Sequence, residues 1–122
     1  MEMIGSVFGI AAAASFLPLI IKYPLRKLGF ERINARLMKL HEAASAGFWL
    51  FGIIHAVISL VRGKGGRLTK ASGAFSLALG TWLITDCHIA KDYEKKMFRH
   101  RCYSLALTVS LLCHIFSAVR RK

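Results

Sequence analysis

Hydrophobic residues along the chain form four long tracts that short polar segments separate. The tracts are Met3–Ile21, Ala43–Val61, Ala71–Ala90 and Tyr103–Val119. Each is about as long as the roughly 17–25 residues that a helix needs to cross a bilayer. The pattern predicts an all-α fold, an integral membrane four-helix bundle. Its single transmembrane domain spans residues 1–122, with helices at about 3–22, 35–62, 70–90 and 93–120.

The polar segments hold the signals that begin and end these helices. Pro24 and Gly29 are expected to end the first helix and turn the chain. Thr69 or Ser72 is expected to cap the third helix and Asp92 the fourth, because such side chains accept hydrogen bonds from backbone N–H groups. Since no Gly or Pro follows Asp92, the fourth helix is expected to begin outside the membrane.

The basic charge of the chain lies between the tracts. Lys and Arg number 18 against 6 Asp and Glu, which gives a formal net charge of +12 in a chain that is 55% hydrophobic. A basic nucleic-acid-binding domain would spread its cations over a folded surface. The clustering therefore argues against nucleic acid as a partner and for membrane lipid.

The distribution of basic residues between the two sides predicts the orientation. Eleven lie on the side that carries the links before the second and fourth helices: Lys22, Arg26, Lys27, Arg32, Arg36, Lys39, Lys91, Lys95, Lys96, Arg99 and Arg101. Seven lie on the opposite side: Arg62, Lys64, Arg67, Lys70, Arg120, Arg121 and Lys122. Basic loops favour the cytoplasm, so we expect both termini to lie on the outer side of the cytoplasmic membrane.

The sequence also bears on signal-peptide cleavage and on disulfide formation. The start of Met3–Ile21 carries Glu2 rather than basic residues, so this tract is expected to be a retained helix and not a signal peptide. The three cysteines, Cys87, Cys102 and Cys113, form no CxxC pair. Their odd number argues against a disulfide framework.

Four of the five histidines follow one spacing rule. His41 and His55 are 14 residues apart on the second helix, and His100 and His114 are 14 residues apart on the fourth. Fourteen residues turn a helix by about 1400°, close to four full turns, and rise by roughly 21 Å. Because alternate helices of an up-down bundle run parallel, we expect His41 level with His100 and His55 level with His114.

Two opposed imidazoles at each of two levels fit bis-histidine ligation of haem. His41 and His100 are the expected ligands of an inner haem, and His55 and His114 those of an outer haem. Because no CxxCH motif is present, the two haem b groups would be bound noncovalently. Zinc is disfavoured because it needs four ligands at one point. The alternative is that each histidine only hydrogen-bonds to a neighbouring helix.

The residues around these histidines suit the same interpretation. Between the ligands, Ser45, Phe48 and Gly52 share one face of the second helix, and Ser104, Leu107 and Leu111 share one face of the fourth. The small residues would leave room for the macrocycle, and the large ones would pack against it. The candidate partners of the anionic propionates are Arg36, Arg99 and Arg101 for the inner haem and Arg62 for the outer haem.

Asp86 and His88 lie at the end of the third helix and allow two interpretations. They would form a quinone or proton site if they bound a quinol oxygen and accepted its proton. Alternatively they lie at an interfacial helix end, where Asp86 pairs with Lys91 or Arg99.

The segments PLRKLGFERINARLMKLHEAASAGFWLFGIIHAVISL and HRCYSLALTVSLLCHI resemble the ferric reductase-like transmembrane domain. Ferric reductases, NADPH oxidases and the membrane subunit of the methionine sulfoxide reductase system share that domain. The resemblance covers Pro24 to Ile115, and its specific content is the doubled H-x13-H. It implies that the four histidines bind two haems, which pass electrons one at a time across the membrane.

The chain departs from that family in two ways. It has four predicted spans where many relatives have six. It also carries no flavin- or nicotinamide-binding domain and no Gly-rich phosphate loop, since GKGG at 63–66 lies in a short loop.

The expected function is therefore that of a dihaem b-type electron-transfer subunit, the membrane haem part of an oxidoreductase. A separate cytoplasmic flavin reductase or a quinol would donate electrons. An extracytoplasmic oxidoreductase, ferric iron or oxygen would accept them. The alternatives are a noncatalytic membrane anchor or assembly subunit, and a small proton-coupled transporter that uses Asp86 and His88.

Overall fold

The computed structural model describes residues 2–29, 31–63 and 65–120, leaving aside the side chains of Glu2, Tyr23, Glu31 and Arg32. The described residues form four helices and no strand: α1 (Glu2–Lys27), α2 (Glu31–Val61), α3 (Arg67–Ile89) and α4 (Tyr93–Val119). The all-helical class is thereby confirmed. Among the basic residues counted for the orientation, Lys64, Arg121, Lys122 and the side chain of Arg32 lie outside the described part.

Three of the helices are long and apolar enough to cross a membrane. These candidate spans are Met3–Lys27, Ile33–Val61 and Tyr93–Val119. The third tract forms a helix of 23 residues, but α3 is not among the spans found in the described chain. Hydroxyl-bearing side chains lie throughout α3, which therefore lacks an uninterrupted stretch as apolar as those in the other three helices.

The first helix continues further than its prolines predict. α1 runs through Pro18 and Pro24 and ends at Lys27. Pro24 has no N–H to donate to the carbonyl four residues earlier, so one helical hydrogen bond is lost there. Only one turn of helix follows Pro24, and that turn still forms. The amide of Leu28 still bonds to the Pro24 carbonyl at 3.2 Å. Gly29, at φ +80°, then turns the chain, as the sequence predicted.

The N-cap predictions are wrong for α3 and confirmed for α4. α3 begins after Gly66, which has an extended backbone and makes no side-chain cap bond, so the predicted caps Thr69 and Ser72 are wrong. Both residues lie inside the helix, and Ser72 donates to the Leu68 carbonyl at 2.8 Å instead. The cap of α4 is confirmed, because the Asp92 carboxylate accepts from the amide of Lys95 at 3.3 Å.

The chain divides into two compact units, Met1–Ile58 and Ser59–Lys122. The first is a helical hairpin of α1 against α2, and aromatic rings hold it together. The rings of Phe16 and Phe48 lie 5.5 Å apart between centroids, and those of Phe8 and Phe51 lie 6.1 Å apart. Buried alanines, Ala12 and Ala44, occupy little space and so let the helices approach closely.

The second unit is a hairpin of α3 against α4, and hydroxyl groups hold much of it together. The hydroxyls of Ser76 and Ser110 lie 2.8 Å apart, and Thr69 donates to Ser117 at 3.1 Å nearer the open end of the hairpin. Near the turn, the rings of Trp82 and Tyr103 meet edge to face. The two hairpins therefore share a topology but differ in the chemistry of their interfaces.

Most large apolar side chains point outward from these hairpins. Exposed examples on each helix include Ile10, Leu50, Phe75 and Leu112. A water-soluble chain of this size rarely exposes contiguous apolar surface on this scale, whereas a lipid-facing helix requires it. The exposed surface is thus consistent with a membrane protein.

Candidate histidine sites

His55 binds the backbone of α1 from its position near the end of α2. Its Nδ1 lies 2.8 Å from the carbonyl oxygen of Gly5. A carbonyl can only accept a hydrogen bond, so Nδ1 of His55 carries the proton. In a neutral imidazole the lone pair is then on Nε2.

His114 makes the equivalent bond in the second hairpin. Its Nδ1 lies 2.8 Å from the carbonyl oxygen of Thr69. Ser72 Oγ is 3.5 Å from the same nitrogen, but the Ser72 hydroxyl donates its hydrogen to the Leu68 carbonyl. Both neighbours of Nδ1 therefore present acceptors, and His114 has the same Nδ1-protonated tautomer as His55.

The other two predicted ligands lie nearer the opposite ends of their hairpins. His41 is half-buried on α2. His100 is half-buried on α4, and its Nδ1 lies 3.4 Å from the sulfur of Cys87 on α3. His41 and His55 belong to the first unit, and His100 and His114 to the second.

Within the described residues, no three His, Cys, Asp or Glu side chains gather as a metal-binding group. A closed metal cage such as that of structural zinc needs four ligands. A bis-histidine haem iron takes only one imidazole on each face. The finding therefore concerns metal sites with three or more protein ligands, and haem ligation stays a prediction.

The four arginines predicted to bind propionates have different surroundings. Arg36 and Arg101 are exposed. Arg99 makes a two-bond contact with Asp86, with Nη2–Oδ1 at 2.9 Å and Nε–Oδ2 at 3.3 Å. Arg62 is half-buried, and its Nη2 is a buried donor that meets no hydrogen-bond acceptor among the described residues.

Asp86 and His88 do not come together as one site. The Asp86 side chain is 13% exposed and forms a salt bridge to Arg99, which is one of the two pairings expected for an interfacial helix end. His88 is exposed, and its Nδ1 bonds to the Ile84 carbonyl of its own helix at 2.8 Å. These contacts give both residues a structural explanation that needs no quinone or proton.

Two side chains expected to pack against haem are buried inside their own hairpins. Phe48 is 5% exposed, and its ring meets Phe16. Leu107 is 3% exposed. Their burial is explained without a cofactor. Of the other four residues expected to border the macrocycle, Ser45 donates to the Glu42 carbonyl at 2.8 Å, while Gly52, Ser104 and Leu111 are half-buried.

Sequence reasoning missed the backbone partners of the histidines. The carbonyls of Gly5 and Thr69 carry no side-chain signal, and the one available cue was a glycine four residues after each of them, at Gly9 and Gly73. Small residues four apart indicate close helix contact. They do not name the side chain that makes the contact.

Comparison of the chain with protein-family models, with curated proteins and with solved structures found no match.

Proposed function

We propose that this chain is a dihaem b-type membrane subunit that carries electrons across a lipid bilayer. His41 and His100 would bind the inner haem, and His55 and His114 the outer haem. A bound haem supplies a one-electron iron couple. The chain contributes the ligands, their orientation and the charge that neutralises the propionates.

The observation that carries the proposal is the repeated Nδ1 hydrogen bond. His55 and His114 each donate from Nδ1 to a backbone carbonyl of the neighbouring helix at 2.8 Å. Metal-binding histidines commonly donate their second ring N–H to a carbonyl, which fixes the tautomer and leaves Nε2 as the ligand atom. The same tautomer at both outer positions supports their common role as axial ligands.

The surroundings of Arg62 are a second observation that supports the same proposal. Its buried Nη2 meets no acceptor in the described residues, and a buried donor without an acceptor costs about 1–3 kcal/mol, more when it is charged. Arg62 follows α2 directly, at the end of the helix that carries the outer ligand His55. A haem propionate would supply a carboxylate for this guanidinium.

The electron donor and acceptor would be separate molecules. A cytoplasmic flavin reductase or a quinol would donate, and an extracytoplasmic oxidoreductase, ferric iron or oxygen would accept. The ferric reductase-like resemblance of the sequence motivates this arrangement. The exposed basic residues Arg36 and Arg101 offer positive charge to an acidic donor protein.

The test is the haem content of the purified chain. Protein expressed with sufficient haem should show sharp b-type bands in a reduced-minus-oxidised spectrum, with about two haems per chain, one for each pair of axial ligands. His41→Ala should remove one haem and His55→Ala the other. Colourless wild-type protein would contradict the proposal.

The fifth histidine provides the matched control. His88 is exposed and bonds to its own helix, so His88→Ala should keep both haems. Loss of both haems in each of the His41 and His55 variants would argue against two independent layers.

A noncatalytic membrane anchor or assembly subunit is the second candidate. The hydrogen bonds of His55 and His114 to neighbouring helices are also what that function needs, since such bonds hold membrane helices together. An anchor would lose stability in His55→Ala and in His114→Ala, and its spectrum would show no haem in any variant.

A further inference from the structure

His55 and His114 each lie against a glycine of the neighbouring helix. A Cβ atom built on Gly9 would lie 3.0 Å from both Cε1 and Nδ1 of His55. One built on Gly73 would lie 2.8 Å from Cε1 and 3.0 Å from Nδ1 of His114. Carbon atoms rarely approach ring atoms as closely as 3.0 Å and essentially never more closely. Each imidazole therefore occupies the space where any other residue would carry its side chain.

The glycine and the acceptor carbonyl form a single unit in both hairpins. In α1 the carbonyl belongs to Gly5 and the glycine is Gly9, and in α3 the carbonyl belongs to Thr69 and the glycine is Gly73. Residues four apart lie one above the other on a helix face. We call this carbonyl with its glycine four residues later a histidine seat.

General helix packing does not explain the two seats. Small residues often let membrane helices approach closely, but then the nearest atoms would belong to many residues of the facing helix. At Gly9 the three nearest atoms all belong to His55, and at Gly73 all three belong to His114. The hairpins otherwise pack mainly through different groups, aromatic rings in the first and hydroxyls beside one aromatic pair in the second. The seat occurs in both.

We propose that Gly9 and Gly73 are positioning residues that hold the imidazoles of His55 and His114. The glycine admits the flat ring, and the carbonyl one turn earlier takes the Nδ1 proton, so that the tautomer with its lone pair on Nε2 is selected before any ligand arrives. That the ligand is a haem iron rests on the proposed function. The selection of ring position and tautomer does not.

The first test reads the tautomer directly in the full chain without haem. Long-range proton–nitrogen NMR in detergent micelles at mildly alkaline pH distinguishes Nδ1–H from Nε2–H in a neutral imidazole. Wild-type His55 and His114 should both be Nδ1-protonated. An Nε2-protonated ring at either position would overturn the proposal without any variant.

The glycine variants act as controls for one another. Gly9→Ala should remove the Nδ1–H signature of His55 and keep that of His114, and Gly73→Ala should do the reverse. Gly47→Ala is a matched helical substitution whose added Cβ would meet Ser15 Oγ at 3.2 Å and no imidazole, so it should leave both signatures unchanged. Signatures that persist in Gly9→Ala and Gly73→Ala would overturn the role of the glycines.

Haem binding is measured separately, so that the two proposals can fail independently. Each of Gly9→Ala and Gly73→Ala should weaken binding of the outer haem by about 10- to 100-fold, the usual effect of losing support for a metal-binding histidine, and leave the inner haem in place. Colourless wild-type protein with both Nδ1–H signatures would refute the haem function and keep the seats. Coloured variants with wild-type affinity would refute the seats alone.

Discussion

Ser76 and Ser110 are the two polar side chains buried most completely among the described residues, at 4% and 8% exposure. Their hydroxyls lie 2.8 Å apart across the α3–α4 interface. Each has a second partner, the Ser72 carbonyl, at 2.8 Å from Ser76 and 3.2 Å from Ser110. Loss of either hydroxyl therefore leaves the other one with an acceptor, which limits the cost of removing it.

This arrangement predicts a small coupling energy between the two serines. Ser76→Ala and Ser110→Ala should each destabilise the hairpin, and a double-mutant cycle should give a coupling of about 0.6 kcal/mol, the average for hydrogen bonds between membrane helices. Unfolding in mixed micelles at increasing denaturing detergent measures it. Ser6→Ala, on the exposed face of α1, is the control and should have little effect. A coupling near zero would show that the Ser72 carbonyl alone satisfies both hydroxyls.

The histidines show how far sequence reasoning reaches at the scale of single residues. Their spacing of 14 residues was visible at once, because helical periodicity fixes which residues share a face. The seats could not be predicted, since every residue has a backbone carbonyl and the sequence does not indicate which one accepts the bond. The bond from Asp86 to Arg99 was one of two pairings that the sequence allowed, and only the packing of α3 on α4 decides between Arg99 and Lys91.

Helix ends were predictable where a side chain makes the cap and unpredictable where the backbone does. Asp92 was found because its carboxylate is a strong N-cap. Gly66 at the start of α3 makes no side-chain bond, so nothing in its chemistry separated it from its glycine-rich neighbours. The first helix was predicted too short because Pro24 disfavours a helix only locally, and the turn after it still forms.

The Asp92 cap predicts a difference between two substitutions. Asp92→Ala should destabilise the protein by about 1 kcal/mol, because the amide of Lys95 loses its acceptor. Asp92→Asn should be nearly neutral, since an amide oxygen also caps. The salt bridge that it gives up, Asp92 to Lys95 at 3.7 Å, is between exposed side chains and contributes little. Unfolding in mixed micelles compares the two variants, and equal losses would show that the charge stabilises the turn.

At the scale of the whole molecule, α3 decides whether the protein has three membrane spans or four. Five hydroxyls interrupt its apolar surface, but none of the five lacks a partner. Ser72 donates to the Leu68 carbonyl of its own helix, Ser76 pairs with Ser110 across the hairpin interface, and Thr69 donates to Ser117. Thr81 and Thr85 donate to carbonyls one turn earlier in their own helix. Satisfied hydroxyls cost a membrane helix little.

Length and pairing also favour a fourth crossing. A helix of 23 residues is about 34 Å long, and the hydrocarbon layer is about 30 Å thick. The contacts between α3 and α4 run from Thr69 with Ser117 to Asp86 with Arg99, so the two helices are antiparallel over most of their length. Since α4 is itself a candidate span, we infer that α3 crosses beside it.

A fourth crossing places both chain termini on the same side, whereas three crossings place them on opposite sides. Alkaline phosphatase, active only outside, and a fluorescent protein that folds only inside should be fused in turn after Gly65 and after Lys91, which lie on either side of α3. If α3 crosses, the two sites give opposite results, and the predicted orientation gives active phosphatase after Gly65 and fluorescence after Lys91. The same reporter active at both sites would show that α3 lies along the surface and would contradict the four-span topology.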